Sequence, residues 1–174
     1  MRSKTRFITH AAILGAVYFA LSHMQNILLP GSATWAVQCR LSEALCIFAL
    51  FTPAAAPGLA VGCFLFNLTY AGAMPLDIVA GTLATWLACR SMERIRSVTV
   101  RGIPLPALTM PALFNGLLVG WELTVYIGDT GLTPAAFALN FALVALGELI
   151  ALLIPGLAIW KILRLRHLDR EIFS

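Results

Sequence analysis

Charged side chains are scarce in this sequence. Asp, Glu, Lys and Arg make up 11% of its 174 residues, whereas hydrophobic residues make up 60%. A soluble domain usually carries about 25% charged residues, so the composition excludes a soluble globular domain, a polyelectrolyte and a disordered chain. The sequence therefore predicts one domain, residues 1–174, that is integral to a membrane.

Motifs for metal and nucleotide chemistry are also missing. The four cysteines, at positions 39, 46, 63 and 89, form no CxxC pair and have no histidine cluster beside them, so a zinc site is poorly supported. Neither HExxH nor GxxxxGKS/T occurs in the chain. We therefore expect no metal and no cofactor, and any ATP hydrolysis has to come from partner subunits.

Basic residues exceed acidic ones, by 12 to 8, but their placement does not suit a nucleic acid. Eleven of them fall in three short clusters at the ends of apolar runs, within residues 2–6, 90–101 and 161–170. A nucleic-acid groove would need a basic stripe with interleaved aromatic residues, and none occurs. We expect no nucleic-acid partner and interpret the clusters as topology signals.

Six apolar segments are interpreted as membrane spans. They cover about residues 7–29, 37–51, 57–70, 76–90, 106–127 and 134–163, and Pro155 predicts a kink in the sixth. Six spans put both termini and all three basic clusters on one side, which the positive-inside rule assigns to the cytoplasm. The sequence thus predicts an all-α, multi-pass protein of the cell membrane, a six-helix bundle with both termini cytoplasmic.

Polar residues in these spans concentrate toward one side of the membrane. A charged side chain at the bilayer centre costs about 2.5–3.5 kcal/mol on insertion scales, so it normally faces a bundle interior or a cavity. The polar residues in or at the ends of the spans are Arg40, Glu43, Asn67, Asp77, Asn115, Glu122, Asn140 and Glu148. In the predicted topology, five spans send polar groups toward the outer half, with Glu148 near mid-depth. This asymmetry predicts an outward-facing pocket for a polar small molecule. The alternative is a set of hydrogen bonds between helices.

Individual positions in this polar set favour different roles. Glu122 and Glu148 have no cation nearby in the sequence and are the first candidates for ligand binding. Arg40 and Glu43 stand at i, i+3, which favours an ion pair at a helix start. Asp77 stands at another predicted helix start, where a carboxylate caps free N–H groups.

The remaining candidates concern the chemistry of the ligand. Asn115 and Glu122 are seven residues apart, so they lie on one side of their helix. Trp121 is a candidate for stacking on a flat ring, although an aromatic residue near the interface also suits the aromatic belt. Carboxylates and amides with one interior cation suit a ligand rich in N–H donors, such as one with a guanine-like edge.

Small residues form a stripe on the first span. Ala12, Ala16 and Ala20 stand at i, i+4 and i+8, and Ala11 and Gly15 form a second small pair. Such stripes let another helix approach closely. The approaching helix belongs either to the same bundle or to a partner protein.

Ordered sequence blocks along nearly the whole chain resemble the QueT family. They are RLSEAL at 40–45, FTPA at 51–54, PGL at 57–59, GC at 62–63, Asn67, DIVAGTLAT at 77–85, NGL at 115–117, GWEL at 120–123 and LGEL at 146–149. The resemblance implies a substrate-binding S component of an energy-coupling-factor (ECF) transporter, which imports a queuosine precursor of the 7-deazaguanine type. It also implies partners: one transmembrane coupling subunit and two cytoplasmic ATPase subunits.

The resemblance further implies that Ala12, Ala16 and Ala20 dock on the coupling subunit, and that the S component topples in the membrane during transport. Two alternatives stay open at this point. One is an S component for another vitamin-like molecule, because pocket shape decides the ligand. The other is an intramembrane enzyme, although His10, His23 and His167 suggest no Ser/His pair. A purely structural membrane subunit would not explain carboxylates spread over several spans.

Overall fold

The computed structural model describes residues 2–30, 39–126 and 132–166. The regular elements in these ranges are helices: α1 (Arg2–Leu28), a 3₁₀ helix (Leu41–Leu50), α2 (Ala55–Thr69), α3 (Asp77–Ile95), the short α4 (Leu105–Leu108), α5 (Met110–Tyr126), α6 (Pro134–Ala151), a π turn (Leu152–Gly156) and α7 (Leu157–Leu165). The predicted all-helical architecture is confirmed. Six helices correspond to the six predicted spans, because α4 precedes α5 directly and the π turn joins α6 to α7.

The lengths of these helices differ more than the sequence predicts. Three are long and apolar enough to cross a membrane: 4–28, 105–126 and 134–165. The 3₁₀ helix and α2 are apolar but shorter. Helix α3 extends to Ile95, beyond the predicted end at residue 90. The prediction ends too early because it follows the apolar run, and the last turns of α3 carry Arg90, Glu93 and Arg94. Large exposed hydrophobic residues, such as Val61 and Leu68 on α2, are typical of lipid-facing surfaces.

The helices run alternately up and down through the bundle. Helices α1, α2 and α5 end where the 3₁₀ helix, α3 and α6 begin. Hydrogen bonds join these ends in four pairs: Gln25 with Cys39, His23 with Thr69, Asn67 with Asp77, and Asn140 with Thr124. We call this the acidic end, because Glu43, Asp77 and Glu122 lie near it. The opposite, basic end carries the last turns of α3 and α7 with Arg94, Arg96, Arg101, Lys161 and Arg164.

The 3₁₀ helix lies in the middle of the bundle. Eight of its ten residues are buried, and α1, α2, α3 and α6 all pack against it. A 3₁₀ run of this length is uncommon, and its side chains eclipse at i, i+3. Glu43, Cys46 and Ala49 therefore form one row along the helix, which places a carboxylate inside an otherwise apolar core.

Helices α1 and α2 approach closely through glycine. A Cβ atom on Gly15 would lie 2.7 Å from the carbonyl oxygen of Gly58. The pair Ala11 and Gly15 on α1 interlocks with the pair Gly58 and Gly62 on α2, as in other small-xxx-small helix pairs. The second small pair of α1 thus serves packing within the bundle.

The predicted kink near Pro155 is confirmed as a π turn. Proline has no backbone N–H and cannot continue the regular helical hydrogen-bond pattern. The chain widens into a π turn at Leu152–Gly156 and then resumes as α7. This step directs α7 and its basic residues to the basic end.

Candidate functional site

Four buried carboxylates gather around Arg40 at the acidic end. Arg40 lies just before the 3₁₀ helix, and its Nη2 atom is 3.8 Å from Oδ1 of Asp77. It also interacts electrostatically with Glu43, Glu122 and Glu148. The four carboxylates come from four different helices, and none is more than 2% exposed. We call these five residues the acidic cluster.

The expected ion pair between Arg40 and Glu43 is wrong. The backbone of Arg40 is extended, with φ −89° and ψ 108°, so the helical i, i+3 geometry does not apply to it. Its guanidinium forms the ion pair with Asp77 instead. The residues that bond Glu43 are therefore different ones.

Glu43 is bonded by three donors of its own chain. The hydroxyl of Tyr18 donates to Oε1, the hydroxyl of Thr85 donates to the same oxygen at 3.1 Å, and Sγ of Cys46 donates to Oε2 at 3.2 Å. These donors come from α1, α3 and the 3₁₀ helix. Sequence reasoning missed Tyr18 and Thr85, because each lies far from Glu43 along the chain and alone resembles an ordinary helix residue.

Glu122 and Glu148 contrast with Glu43. Both carboxylate oxygens of Glu122 and the Oε2 atom of Glu148 are buried without a hydrogen-bond partner among the described residues. A buried polar atom left unpaired costs about 1–3 kcal/mol, and more when it is charged. These atoms are acceptors that a bound molecule with N–H groups would satisfy.

Asp77 and Asn67 also have buried oxygen atoms without a hydrogen bond among the described residues. The prediction that Asp77 caps the N–H groups of its own helix is wrong. Its Oδ2 atom instead accepts a hydrogen bond from the backbone N–H of Met74, at 2.8 Å, in the turn before α3. The amide nitrogen of Asn67 donates to the backbone oxygen of Asp77 at 2.8 Å. Oδ1 of Asp77 and Oδ1 of Asn67 are buried without a hydrogen bond in the described ranges, as is Nε of Arg40.

A glycine makes room for this arrangement. A Cβ atom on Gly81 would lie 3.0 Å from the amide nitrogen of Asn67 and 3.5 Å from Nη1 of Arg40. The first distance is tighter than ordinary van der Waals contact, so a side chain would press on the amide of Asn67. Sequence reasoning missed Gly81, although a glycine inside a helix is a signal for a close approach.

Asn115, Asn140 and Trp121 make no described contact with the acidic cluster. Asn115 is buried on the same side of α5 as Glu122, as the spacing predicts, and its amide donates to the backbone oxygen of Pro111 at 3.1 Å. Asn140 donates to Oγ1 of Thr124 at 3.0 Å. Trp121 is 51% exposed, so most of its ring lies outside the bundle. A ligand contact stays a prediction for these residues.

The chemistry available at the cluster is recognition by hydrogen bonds and charge. In the part of the chain that the structure describes, no three His, Cys, Asp or Glu side chains are grouped to hold a metal ion. His23 contacts Oγ1 of Thr69 at 3.0 Å and packs edge-on against Phe19 and Phe66. The cluster itself offers one guanidinium and several acceptor oxygens, which suit a small molecule with donors and one acceptor.

A second feature lies on the exposed side of α1. Ala12, Ala16 and Ala20 are exposed. Two of them border an apolar groove of about 490 Å³, which is lined by Ala11, Ala12, Gly15, Ala16, Phe19, Val61, Leu65 and Thr69. The two small-residue patterns of α1 thus border one groove but differ in exposure: Gly15 packs against α2, whereas Ala12, Ala16 and Ala20 are exposed.

Comparison with known proteins gives one match. The sequence profile of a family described as QueT transporter matches residues 8–165. No curated protein and no solved structure matches the chain. The matched range contains every residue of the acidic cluster and the three exposed alanines.

Proposed function

The chain belongs to the QueT transporter family, and we propose that it is the substrate-binding S component of an ECF transporter. Membership makes it a membrane component of a small-molecule transporter. The finer proposal is that it takes up a queuosine precursor of the 7-deazaguanine type. Two cytoplasmic ATPase subunits hydrolyse the ATP, and the chain itself carries no cofactor and catalyses no reaction.

The unpaired oxygens of Glu122 and Glu148 carry this proposal. A carboxylate accepts two hydrogen bonds from an edge that presents adjacent N–H groups. The guanine edge has such donors beside the O6 acceptor. Nε of Arg40 is an unpaired donor of the same cluster and suits that acceptor. The cluster has four carboxyl groups and one guanidinium, and a cationic aminomethyl group on the ligand would favour the ionised form of a carboxyl group beside it.

The orientation in the membrane follows from the basic clusters. We propose that the basic end faces the cytoplasm, because positively charged residues near span ends are retained there. The termini then lie inside a bacterial cell, and the acidic end opens outward. Glu43, Asp77, Arg40 and Asn67 form the wall around the ligand, and Asn115 and Asn140 lie in neighbouring turns.

Identification of the ligand is the direct test. The purified full chain is denatured, and the released small molecules are analysed by mass spectrometry. We expect a 7-deazaguanine base. Release of a different vitamin-like molecule would replace the substrate but keep the transporter assignment.

Glu122→Gln tests the site itself. The amide offers one acceptor oxygen instead of two and puts N–H groups against the ligand's donors, so we expect an affinity loss of about tenfold or more, as for other charge-assisted bonds. Calorimetry with a 7-deazaguanine base measures it. The matched control is Glu93→Gln, because Glu93 is paired with Arg90 at the basic end. Unchanged affinity of Glu122→Gln would remove Glu122 from the site.

The exposed alanines are proposed to dock on the coupling subunit. Ala12, Ala16 and Ala20 leave a groove into which a partner helix fits, since small residues allow backbones to approach closely. We expect Ala16→Trp to abolish transport and co-purification with the ATPase module while ligand binding persists. Val17→Trp is the control, because Val17 is also exposed but lines a different groove. Normal assembly of Ala16→Trp would contradict this docking face.

A further inference from the structure

A cavity at the basic end lies outside everything assigned above. It has a volume of about 270 Å³ and lies between the segment after α3 and the last turns of α7. Arg96 and Arg164 line it from these two segments, and Leu50, at the end of the 3₁₀ helix, lines it from the core. Two guanidinium groups far apart in the sequence thus border one small space.

The lining combines charge with hydrogen-bond donors. Ser97 and Thr99 add hydroxyl groups to the two arginines. Guanidinium groups bind phosphate oxygens in a bidentate manner, and hydroxyls complete such sites. The described residues contain no carboxylate within salt-bridge distance of Arg96 or Arg164. The cavity is therefore equipped for an anion of phosphate type.

The backbone beside the cavity is held in a tight turn. Val100 and Ile103 exchange two backbone hydrogen bonds, of 2.8 and 3.1 Å. The two residues between them have positive φ angles, 52° at Arg101 and 77° at Gly102. A positive φ is uncommon for arginine and costs free energy. The positive φ of Gly102 suits glycine, which lines the cavity without presenting a side chain to it.

The apolar part of the lining distinguishes a lipid from a free anion. Trp160 lines the cavity, and the guanidinium carbon of Arg164 lies 5.9 Å from the centre of its ring. Tryptophan is enriched at the level of lipid headgroups. Next to Trp160, Ile159 lines a second groove of about 490 Å³, which runs along α1 and is almost wholly apolar. A phospholipid has apolar acyl chains besides its anionic headgroup, whereas a free anion has no apolar part.

We propose that this cavity binds the phosphate of an anionic phospholipid in the leaflet at the basic end. The guanidinium groups of Arg96 and Arg164 bind the phosphate oxygens, and Trp160 packs at the headgroup level. Basic pockets between membrane helices bind anionic headgroups in this manner. The proposal does not depend on which molecule the acidic cluster binds.

Native mass spectrometry of the full chain, released from nanodiscs with equal amounts of phosphatidylglycerol and phosphatidylcholine, tests this proposal. We expect the wild type to retain phosphatidylglycerol selectively and Arg96→Gln/Arg164→Gln to retain about tenfold less, because both guanidinium groups that bind the phosphate oxygens are lost. The control is Arg94→Gln/Arg166→Gln, which removes the same charge from exposed arginines outside the cavity. It should retain wild-type amounts.

Several outcomes would overturn the site. Equal loss in both double variants would mean general attraction to the membrane surface. Displacement of the lipid by millimolar inorganic phosphate would assign the cavity to a soluble anion. Loss of ATPase-module binding with unchanged lipid retention would assign it to a protein partner. Arg96→Lys/Arg164→Lys, which keeps the charge, should retain an intermediate amount of lipid. An unfolding temperature equal to that of the wild type would show that its fold is intact.

Discussion

Glu43 and Glu122 are both fully buried carboxylates of one cluster, but their surroundings differ. Glu43 is bonded by Tyr18, Thr85 and Cys46, whereas neither oxygen of Glu122 has a hydrogen-bond partner in the described ranges. Burial is thus the same for both, and the donors supplied by the protein differ. The comparison shows that a candidate ligand-binding residue is recognised by buried polar atoms that have no hydrogen-bond donor within the described part of the protein.

The two environments also differ in what they connect. The donors to Glu43 belong to α1, α3 and the 3₁₀ helix, so one side chain links three helices in the core. Glu122 faces Asp77 and Arg40 across the acidic end. We therefore assign Glu43 mainly to the stability of the bundle and Glu122 to binding. Three substitutions test this division.

Glu43→Ala should have the largest effect. It leaves the buried hydroxyls of Tyr18 and Thr85 without an acceptor, and each buried polar group left unpaired costs about 1–3 kcal/mol. We expect a large fall in the unfolding temperature of the purified protein, measured by thermal denaturation. A fall no greater than that of Glu122→Ala would break the comparison.

Tyr18→Phe should have an intermediate effect. It removes one donor to Glu43 and keeps the packing of the ring, and a hydrogen bond to a charged group contributes about 1.5–3 kcal/mol. The free energy of unfolding should fall by an amount at the lower end of this range. Tyr126→Phe is the matched control, because Tyr126 is exposed and the same chemical change should leave stability unaltered there.

Glu122→Gln should have the smallest effect on stability. It keeps the shape of the side chain, and the amide can donate to the neighbouring carboxylate of Asp77, so the free energy of unfolding should stay within about 0.5 kcal/mol of the wild type. The same ligand-free sample, measured by thermal denaturation, provides the value. A loss as large as that of Tyr18→Phe would give Glu122 a structural role instead.

Much of the architecture can be predicted from the sequence. Long apolar runs and the basic residues at their ends specify six helices, and the polar positions inside them identify the residues that gather at the acidic end. Pro155 marks the step in the last helix. These predictions succeed because they depend on composition and on periodicity along one helix.

Partner choice could not be predicted, because it depends on contacts between helices. Arg40 pairs with Asp77 rather than with Glu43, since its backbone is extended and it reaches across to α3. The close pair formed by Gly58 and Gly62 with α1 was missed, although the spacing of these glycines is a known signal. The environment of Trp121 depends on the rotation of α5, which the sequence alone does not specify.

The short length of α2 has a consequence for the surrounding lipid. Its 15 residues span about 22 Å at 1.5 Å per residue, whereas the hydrocarbon core of a bilayer is about 30 Å thick. Its lipid-facing side carries Val61, Phe64 and Leu68, so this hydrophobic mismatch is not hidden inside the bundle. The membrane beside α2 has to thin or residues that flank the helix have to snorkel, each at a fraction of a kcal/mol per ångström. Bilayer thickness thereby becomes a variable that sets how strongly the lipid is deformed beside this one helix.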